Sequence, residues 1–404
     1  MTPLEQTILD GANRCVKCAV CMPHCPTYQE TLDENESPRG RIALMQGLVK
    51  HDLPLSEKLK GHLDLCLSCM ACEAVCPSHV IYSKLIDDTK SLITEQQALP
   101  KRLLNKTILN LISNRRVNFV LHTVSYVYQK SGLQGLLRKS GLLKLMRLSN
   151  LEATLPPLSA PHVFHAFYPA VGTKKGEVGL LLGCLNPAFD TKTVHDSIFV
   201  LTKLGFDVHI PKNQTCCGAM HLHSGFKEKS KDFEKQNKQA FKPGLDAVIS
   251  MGSGCAATLM GYDTEANPIP QKEICEFIAA HIAQAPLAKN DETVFVHLPC
   301  TQKNVLKNKE AAFTLLKHIP EITLKPFSTD THCCGAAGTY MIRHAEMAQN
   351  LFQDLWEKRS DKNIKTIVSN NIGCTLHFLA QLREKDHNIK VLHPVSVLRQ
   401  TLEQ

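Results

Sequence analysis

The chain has 404 residues, 43% of them hydrophobic, a formal net charge of +8 and seventeen cysteines. That length builds roughly two to four domains with cores of their own, and no run reaches the ~18 consecutive apolar residues of a membrane-spanning helix. Residues 1–10 are polar and acidic rather than a signal peptide's apolar stretch. Clustered thiols therefore point to metal ligation in a reducing compartment, not to a disulfide framework.

Residues 1–95 carry two copies of one pattern, Cys15-x-x-Cys18-x-x-Cys21-x-x-x-Cys25-Pro26 and Cys66-x-x-Cys69-x-x-Cys72-x-x-x-Cys76-Pro77. Three thiolates at every third residue, then a fourth followed by proline, is the spacing of two-cluster ferredoxins. There the fourth cysteine of each run crosses to the other 4Fe–4S cluster. The rule assigns Cys15, Cys18, Cys21 and Cys76 to one cluster, and Cys66, Cys69, Cys72 and Cys25 to the second. Zinc ordinarily takes two CxxC pairs across a longer gap and does not fit. Between the runs, Ser37-Pro38-Arg39-Gly40-Arg41 reads as a turn entering a short helix. Arg39 and Arg41 either offset the negative charge of the clusters, raising their potential, or form an exposed basic turn. The second run leads into an amphipathic helix with Ile81, Leu85 and Leu92 on one side.

Residues 96–173 form a basic interval. No acidic residue stands between Glu95 and Glu152, while ten lysines and arginines run from Lys101 to Arg147, among them Arg115, Arg116, Arg138 and Lys139. Apolar residues at three- and four-residue spacing make these amphipathic helices. Such helices lie on an anionic membrane surface or dock on an acidic partner, or else they pack on their own protein with solvated charges. Nucleic acid is a poor fit, since no aromatic platform or binding motif accompanies the charge. Pro156-Pro157 and Pro161 mark the end of a linker.

From Lys174 the chain repeats itself, as 174–286 and 287–404. Each copy opens with an apolar run ending at a cysteine (Cys184, Cys300), reaches a vicinal pair (Cys216-Cys217, Cys333-Cys334) and closes on another (Cys255, Cys374). The opening cysteine precedes the pair by 32 and 33 positions, and the closing one follows it by 38 and 40. Spacing this regular marks an internal duplication. Short apolar runs alternating with helical stretches predict α/β domains with parallel sheets. The first and last cysteines are expected to end apolar strands, and the carboxyl ends of parallel strands form one rim. Cysteines distant in sequence would therefore converge there, with Gly218 and Gly335 permitting close backbone approach. A vicinal pair repeated at matched positions argues for cluster ligation over packing. Cys275 reads as core. His221, His223, His297 and His332 read as surface or supporting groups near the rim, and His377 as one that would face the rim.

A two-cluster ferredoxin unit joined to two CCG repeats, with the PRGRI turn and the endings SGC and NIGC, resembles the glycolate oxidase iron–sulfur subunit family. Its cousins are the corresponding iron–sulfur subunit of anaerobic glycerol-3-phosphate dehydrogenase and lactate-oxidation proteins. The repeats are similar to those of the CCG-bearing subunit of heterodisulfide reductase. The resemblance implies an electron-transfer subunit of a flavin-dependent 2-hydroxy-acid oxidase, with flavin and substrate on FAD-containing partner subunits. A quinone or an anionic membrane surface reached through residues 101–147 would lie beyond it. It further implies a cytoplasmic protein, peripheral on the inner face of the cell membrane, and one or two further iron–sulfur clusters, cubane or non-cubane. Carried over by motif, Cys184, Cys216, Cys217 and Cys255 form one further site, and Cys300, Cys333, Cys334 and Cys374 another. One departure stands out: the heterodisulfide reductase motif closes with CxxC, but Thr258 and His377 occupy the second position here. Two rivals stay open, a heterodisulfide-reductase-like catalytic subunit and a regulatory module holding zinc.

Overall fold

The structure, a computed structural model, describes residues 1–146, 148–262, 269–283, 285–328, 333–384 and 388–402. Arg147 and His332 lie outside the described residues.

The N-terminal unit is helical. The helix Pro3–Asn13 starts on a capping box between Thr2 and Glu5, and the helix Pro38–Val49 on Ser37, whose hydroxyl accepts from the Gly40 N–H. With the helix Tyr82–Glu95 they enclose a small core built on Ile8, Met45, Leu63, Leu85 and Ile86, against which Cys15, Cys66, Cys72 and Cys76 pack. Ile81 does not join Leu85 and Leu92 on the inner face. It is the residue before the helix begins and is 53% exposed.

The basic interval folds as the helices Leu99–Ser113, Arg115–Lys130, Leu133–Ser140, Leu142–Leu145 and Ser149–Ala153. Only a narrow strip turns inward, including Leu109, Ser113, Asn118 and His122. Among the described residues, sixteen of the 28 exposed large hydrophobic side chains fall between Leu99 and Leu148, so most of the expected apolar face has no cover in the chain. No helix of the described residues is long and apolar enough to cross a membrane.

Beyond it lie two sheets. The first comprises β1 (Phe167–Tyr168), β2 (Gly176–Leu181), β3 (Phe206–His209), β4 (Ala247–Ser250) and β5 (Gln271–Glu273), in the order β1-β3-β2-β4-β5. The second comprises β6 (Thr293–Val296), β7 (Thr323–Pro326), β8 (Thr366–Val368) and β9 (Lys390–Leu392), in the order β7-β6-β8-β9. All pairings are parallel except β1 with β3. Without β1, which comes from the linker interval, the two orders superpose strand for strand, as a duplication requires. β4 and β8 are buried throughout and β2 and β6 nearly so, because helices cover both faces of a parallel sheet and leave no polar alternation. The two repeats share one core, in which Ile249, Ile274 and Ile278 of the first meet Leu315, Val368 and Val395 of the second.

Candidate metal centres

The N-terminal cysteines gather around two hollows. One, of about 430 Å³, is lined by Cys15, Cys18, Cys21 and Cys76; the other, of about 320 Å³, by Cys25, Cys66 and Cys69. Cys72 lies in the wall of both. Cys25 and Cys76 thus each face the other run's hollow, the crossed arrangement that the spacing describes.

The backbone explains how these loops form a cradle. Lys17 and Ala19 in the first run, and Ser68 and Met70 in the second, stand at matched positions with φ of 57°, 69°, 50° and 56°. Left-handed backbone costs a non-glycine residue about 1–3 kcal/mol and persists only where its surroundings hold it. Left-handed residues placed in a loop help turn neighbouring N–H groups to one side, making a concavity for an anion such as a thiolate-ligated cluster. Burial pushes the Cys21 thiol up to about 11, and Cys69 and Cys72 well above the ordinary range. A metal has to displace these protons on binding.

Arg41 is not part of an exposed turn. It is 1% exposed, its Nε donating to the His62 carbonyl at 2.7 Å, one terminal nitrogen to Glu36 and the other to Thr27 Oγ1 at 3.1 Å. That last nitrogen also reaches Cys25 Sγ at 3.9 Å, so a buried positive charge touches the second hollow. Arg39 stays near the surface, paired with Glu34 and donating to the Lys17 carbonyl at 3.2 Å. It braces one of the left-handed residues.

In the first repeat, Cys184 follows β2 after a left-handed Gly183, and Cys216-Cys217 follow β3. Cys255 does not end a strand. β4 stops at Ser250, and Cys255 sits in the first turn of the helix Ser253–Met260, where free N–H groups and the helix dipole favour a thiolate. Cys374 takes the same place in the helix Ile372–Glu384. Cys184 Sγ and Cys216 Sγ are 3.6 Å apart. Cys217 lies within hydrogen-bonding reach of Cys216, Cys255 and Thr258, whose donation holds it well below the ordinary thiol range, while hydrogen bonding to Cys184 and Cys217 pushes Cys216 up, hydrogen bonding to Cys217 pushes Cys255 up, and burial adds to both. Cys217 therefore ionises before Cys216 and Cys255. The four cysteines predicted to converge do converge.

In the second repeat, Cys300 and Cys333 are hydrogen-bonding neighbours, as are Cys333 and Cys334, and Cys334 and Cys374. Gly335 has φ of +84°, and a Cβ there would come within 2.5 Å of the Ala348 carbonyl. Only glycine fits behind the cysteine pair, and its N–H points 3.5 Å from Cys333 Sγ. Gly218 plays the same part against Ser230.

The histidines separate. His223 Nδ1 pairs with Asp87 Oδ1 at 3.0 Å, tying the first repeat to the N-terminal unit. His221 is fully buried rather than a surface group, its Nε2 3.1 Å from Asn110 Oδ1. His377 is buried but turned from the sulfurs, its Nε2 donating to the Ala348 carbonyl at 3.2 Å. His297, 4% exposed, has a ring nitrogen within 4.8 Å of the sulfurs of Cys334 and Cys374. Burial lowers His221, His297 and His377 to about 4, so all three are neutral near pH 7. Asn118 is a further participant that no sequence signal marked: its Nδ2 donates to the Cys184 carbonyl at 2.9 Å. Cys275 is buried in the shared core, as read.

The centres are neighbours. Cys69 of the second hollow packs in one cluster with Cys300, Cys333, Tyr340 and Leu67. Asn304 Nδ2 donates to the Cys69 carbonyl at 2.8 Å, and the Tyr340 hydroxyl to the Leu65 carbonyl at 3.1 Å. The two repeats are stitched where their cysteine-bearing helices begin, Ser253 Oγ lying 2.8 Å from Thr301 Oγ1 and accepting from Asn371 Nδ2 at 3.1 Å. Free thiols throughout, with no carboxylate among the described residues that line the two N-terminal hollows, fit iron–sulfur clusters.

Known proteins agree. Residues 11–80 match the family of 4Fe-4S dicluster domains, residues 178–260 and 294–379 the cysteine-rich CCG domain, and residues 100–155 the linker region of the glycolate oxidase iron-sulfur subunit. The chain is 33% identical over 387 residues to a probable glycolate oxidase iron-sulfur subunit of Bacillus subtilis, covering 90% of this chain and 87% of that one. It is 29% identical to the glycolate oxidase iron-sulfur subunit of Escherichia coli, covering 96% and 94%. Lactate utilization protein A of Bacillus pumilus is 25% identical over 55% of this chain and 98% of its own length. A dicluster domain, a linker of this kind and two cysteine-rich domains in one order make the chain a member of the glycolate oxidase iron–sulfur subunit family.

Proposed function

We propose that the chain is the electron-carrying subunit of a flavin-dependent 2-hydroxy-acid oxidase, taking electrons from FAD-containing partner subunits that oxidise glycolate and passing them to a quinone. Cys15, Cys18, Cys21 and Cys76 hold one 4Fe–4S cluster, and Cys66, Cys69, Cys72 and Cys25 a second. Cys184, Cys216, Cys217 and Cys255, and Cys300, Cys333, Cys334 and Cys374, are the CCG ligand sets. The functional units are 1–95, 96–173, 174–286 and 287–404. The observation that carries this reading is the shared packing of Cys69 with Cys300 and Cys333, which lie in one cluster with Leu67 and Tyr340 where the second hollow meets the second CCG set. Bound clusters supply one-electron redox chemistry there. The chain holds the ligand sets side by side, shields them from water and sets the charge around them through Arg41.

The exposed apolar and basic face of the described residues between 101 and 146 supports a seat on the anionic inner surface of the cell membrane, where a quinone is reached. Apolar side chains such as Leu104, Val124 and Leu136 are more than half exposed and would enter the headgroup boundary while the cations meet lipid phosphate.

The test of the relay is reconstitution. Flavoprotein, this chain and a quinone analogue should turn over glycolate together, and omission of the chain should abolish quinone reduction. Equal rates without the chain, or disulfide reduction by the chain alone, would sink it. For the membrane seat, the chain should float with anionic vesicles at low salt and not with neutral ones, and R115E/R116E should weaken flotation. Flotation indifferent to lipid charge would discard that part.

A further inference from the structure

His297 is built like a ligand, not like a core histidine. One of its ring nitrogens, Cys334 Sγ and Cys374 Sγ all lie within 4.8 Å of one another, and all three side chains are buried. The residue is fixed from three directions. The His297 backbone N–H donates to the Val368 carbonyl at 2.9 Å, Nδ1 lies 3.1 Å from Ser369 Oγ, and Phe378 packs edge-on with ring centres 4.9 Å apart. A metal-bound imidazole is ordinarily held through its second nitrogen in this way, which fixes the tautomer and aims the first.

The first repeat has no counterpart. Three residues before its opening cysteine stands Leu181, buried among apolar neighbours, and the side group reaching Cys217 is the Thr258 hydroxyl. Nor does His377 substitute, since its Nε2 is bonded to the Ala348 carbonyl. The repeats share a topology and differ in donor chemistry.

We infer that His297 is a nitrogen ligand of the iron–sulfur centre held by Cys300, Cys333, Cys334 and Cys374, taking iron through Nε2 while Ser369 holds Nδ1. This rests on the reading that the second repeat holds such a centre. An imidazole adds a donor without adding negative charge, and an imidazole where a thiolate would otherwise stand raises an iron–sulfur potential. The centre beside the second hollow is then tuned to draw electrons out of the ferredoxin unit.

The experiment uses the full chain, loaded anaerobically with iron and sulfide, reduced, and examined by pulsed electron paramagnetic resonance. Histidine uniformly labelled with ¹⁵N is compared with the unlabelled protein. The expected result is a strongly coupled nitrogen that changes with the label, is lost in H297F and H297C, and survives in H377A. H297C should also retain its iron and titrate at a more negative potential. Because the label acts on the unchanged chain, the result does not depend on any variant folding, and the ferredoxin signals report whether each variant has folded. Iron well above about eight per chain, the content of two 4Fe–4S clusters, with no label-sensitive strong coupling would overturn the ligand and leave the CCG centre standing. Iron of about eight would overturn both. A coupling that vanishes in H377A and persists in H297F would move the ligand elsewhere and equally end the proposal.

Discussion

In the N-terminal unit, Cys15, Cys18 and Cys21 meet on one short loop whose Lys17 and Ala19 are forced into left-handed backbone. In the CCG repeats, Cys184 and Cys216 follow separate strand ends and Cys255 lies in a helix start, with the left-handed backbone beside them taken by Gly183 and Gly218. The first arrangement stores strain in the cradle and has little core to hold it, with fifteen buried residues in its cluster against thirty in the core shared by the repeats. The second puts its cysteines on a scaffold that is already stable for other reasons. Metal binding and folding are one event where no site exists beforehand, and nearly separate events where the sheet preforms it. The contrast also bears on charge. The N-terminal unit buries Arg41 with each of its nitrogens partnered, whereas the repeats bury Glu273 with burial outweighing its bonds.

Stripping the iron puts this contrast under the largest load. Chelation from the full chain under reducing conditions should open residues 1–95 to proteolysis and hydrogen exchange, while β2, β4, β6 and β8 keep their protection. Loss of protection in both regions together, or in neither, would break the comparison. Partial opening confined to the loops of residues 15–25 and 66–76 would sharpen it, by placing the dependence in the strained cradle and leaving the three-helix core independent of metal.

What the sequence disclosed follows the same division. Local spacing carries the ferredoxin sets, because ligands three residues apart on one loop need no knowledge of the rest of the fold. The parallel sheets were legible because strands covered on both faces read as unbroken apolar runs. The cysteine rim was legible in outline, since strand ends converge, yet Cys255 and Cys374 lie on helix starts. A helix boundary within a few residues of a strand end is set by capping and packing that the apolar pattern does not encode. Arg41 and Arg39 look alike in sequence, and only the third dimension buries one and leaves the other near the surface. Asn118 gave no signal at all, and His297 only a place near the rim. An amide in a basic amphipathic helix and a histidine ending an apolar strand owe their meaning to neighbours 66 and 72 residues away, Cys184 and Ser369. The uncovered apolar face of residues 99–148 was half legible. Its amphipathic period could be read, but how little of it the chain covers could not.

Glu273 offers the smallest and most specific test. It begins the helix Ile274–Ala279, one carboxylate oxygen accepting from the N–H groups of Cys275 at 3.0 Å and Glu276 at 3.2 Å, bonds that favour the ionised form. It is also fully buried beside Cys275 and His393, at the seam between the repeats. His393 brings no compensating charge, because burial lowers it to about 4 and both its nitrogens are engaged, Nε2 by the Met251 carbonyl and Nδ1 by the Val395 N–H. Desolvation wins, and Glu273 is raised from 4.5 to about 7. The folded chain then holds this proton more tightly than the unfolded one. The stabilisation is fully present below the unfolded value near 4.5 and is lost as pH rises through about 7. At 1.36 kcal/mol per unit it amounts to at most about 3 kcal/mol. Thermal unfolding of the iron-loaded chain should therefore show the transition of the CCG half falling between pH 5 and pH 8. Glu273→Gln keeps an oxygen for the helix start and cannot titrate, so it should flatten that slope without moving the transition of the N-terminal unit. An unchanged slope in the variant would mean that Glu273 is ionised in the fold, and that the seam tolerates a charge which the N-terminal unit accepts only when every bond to it is made.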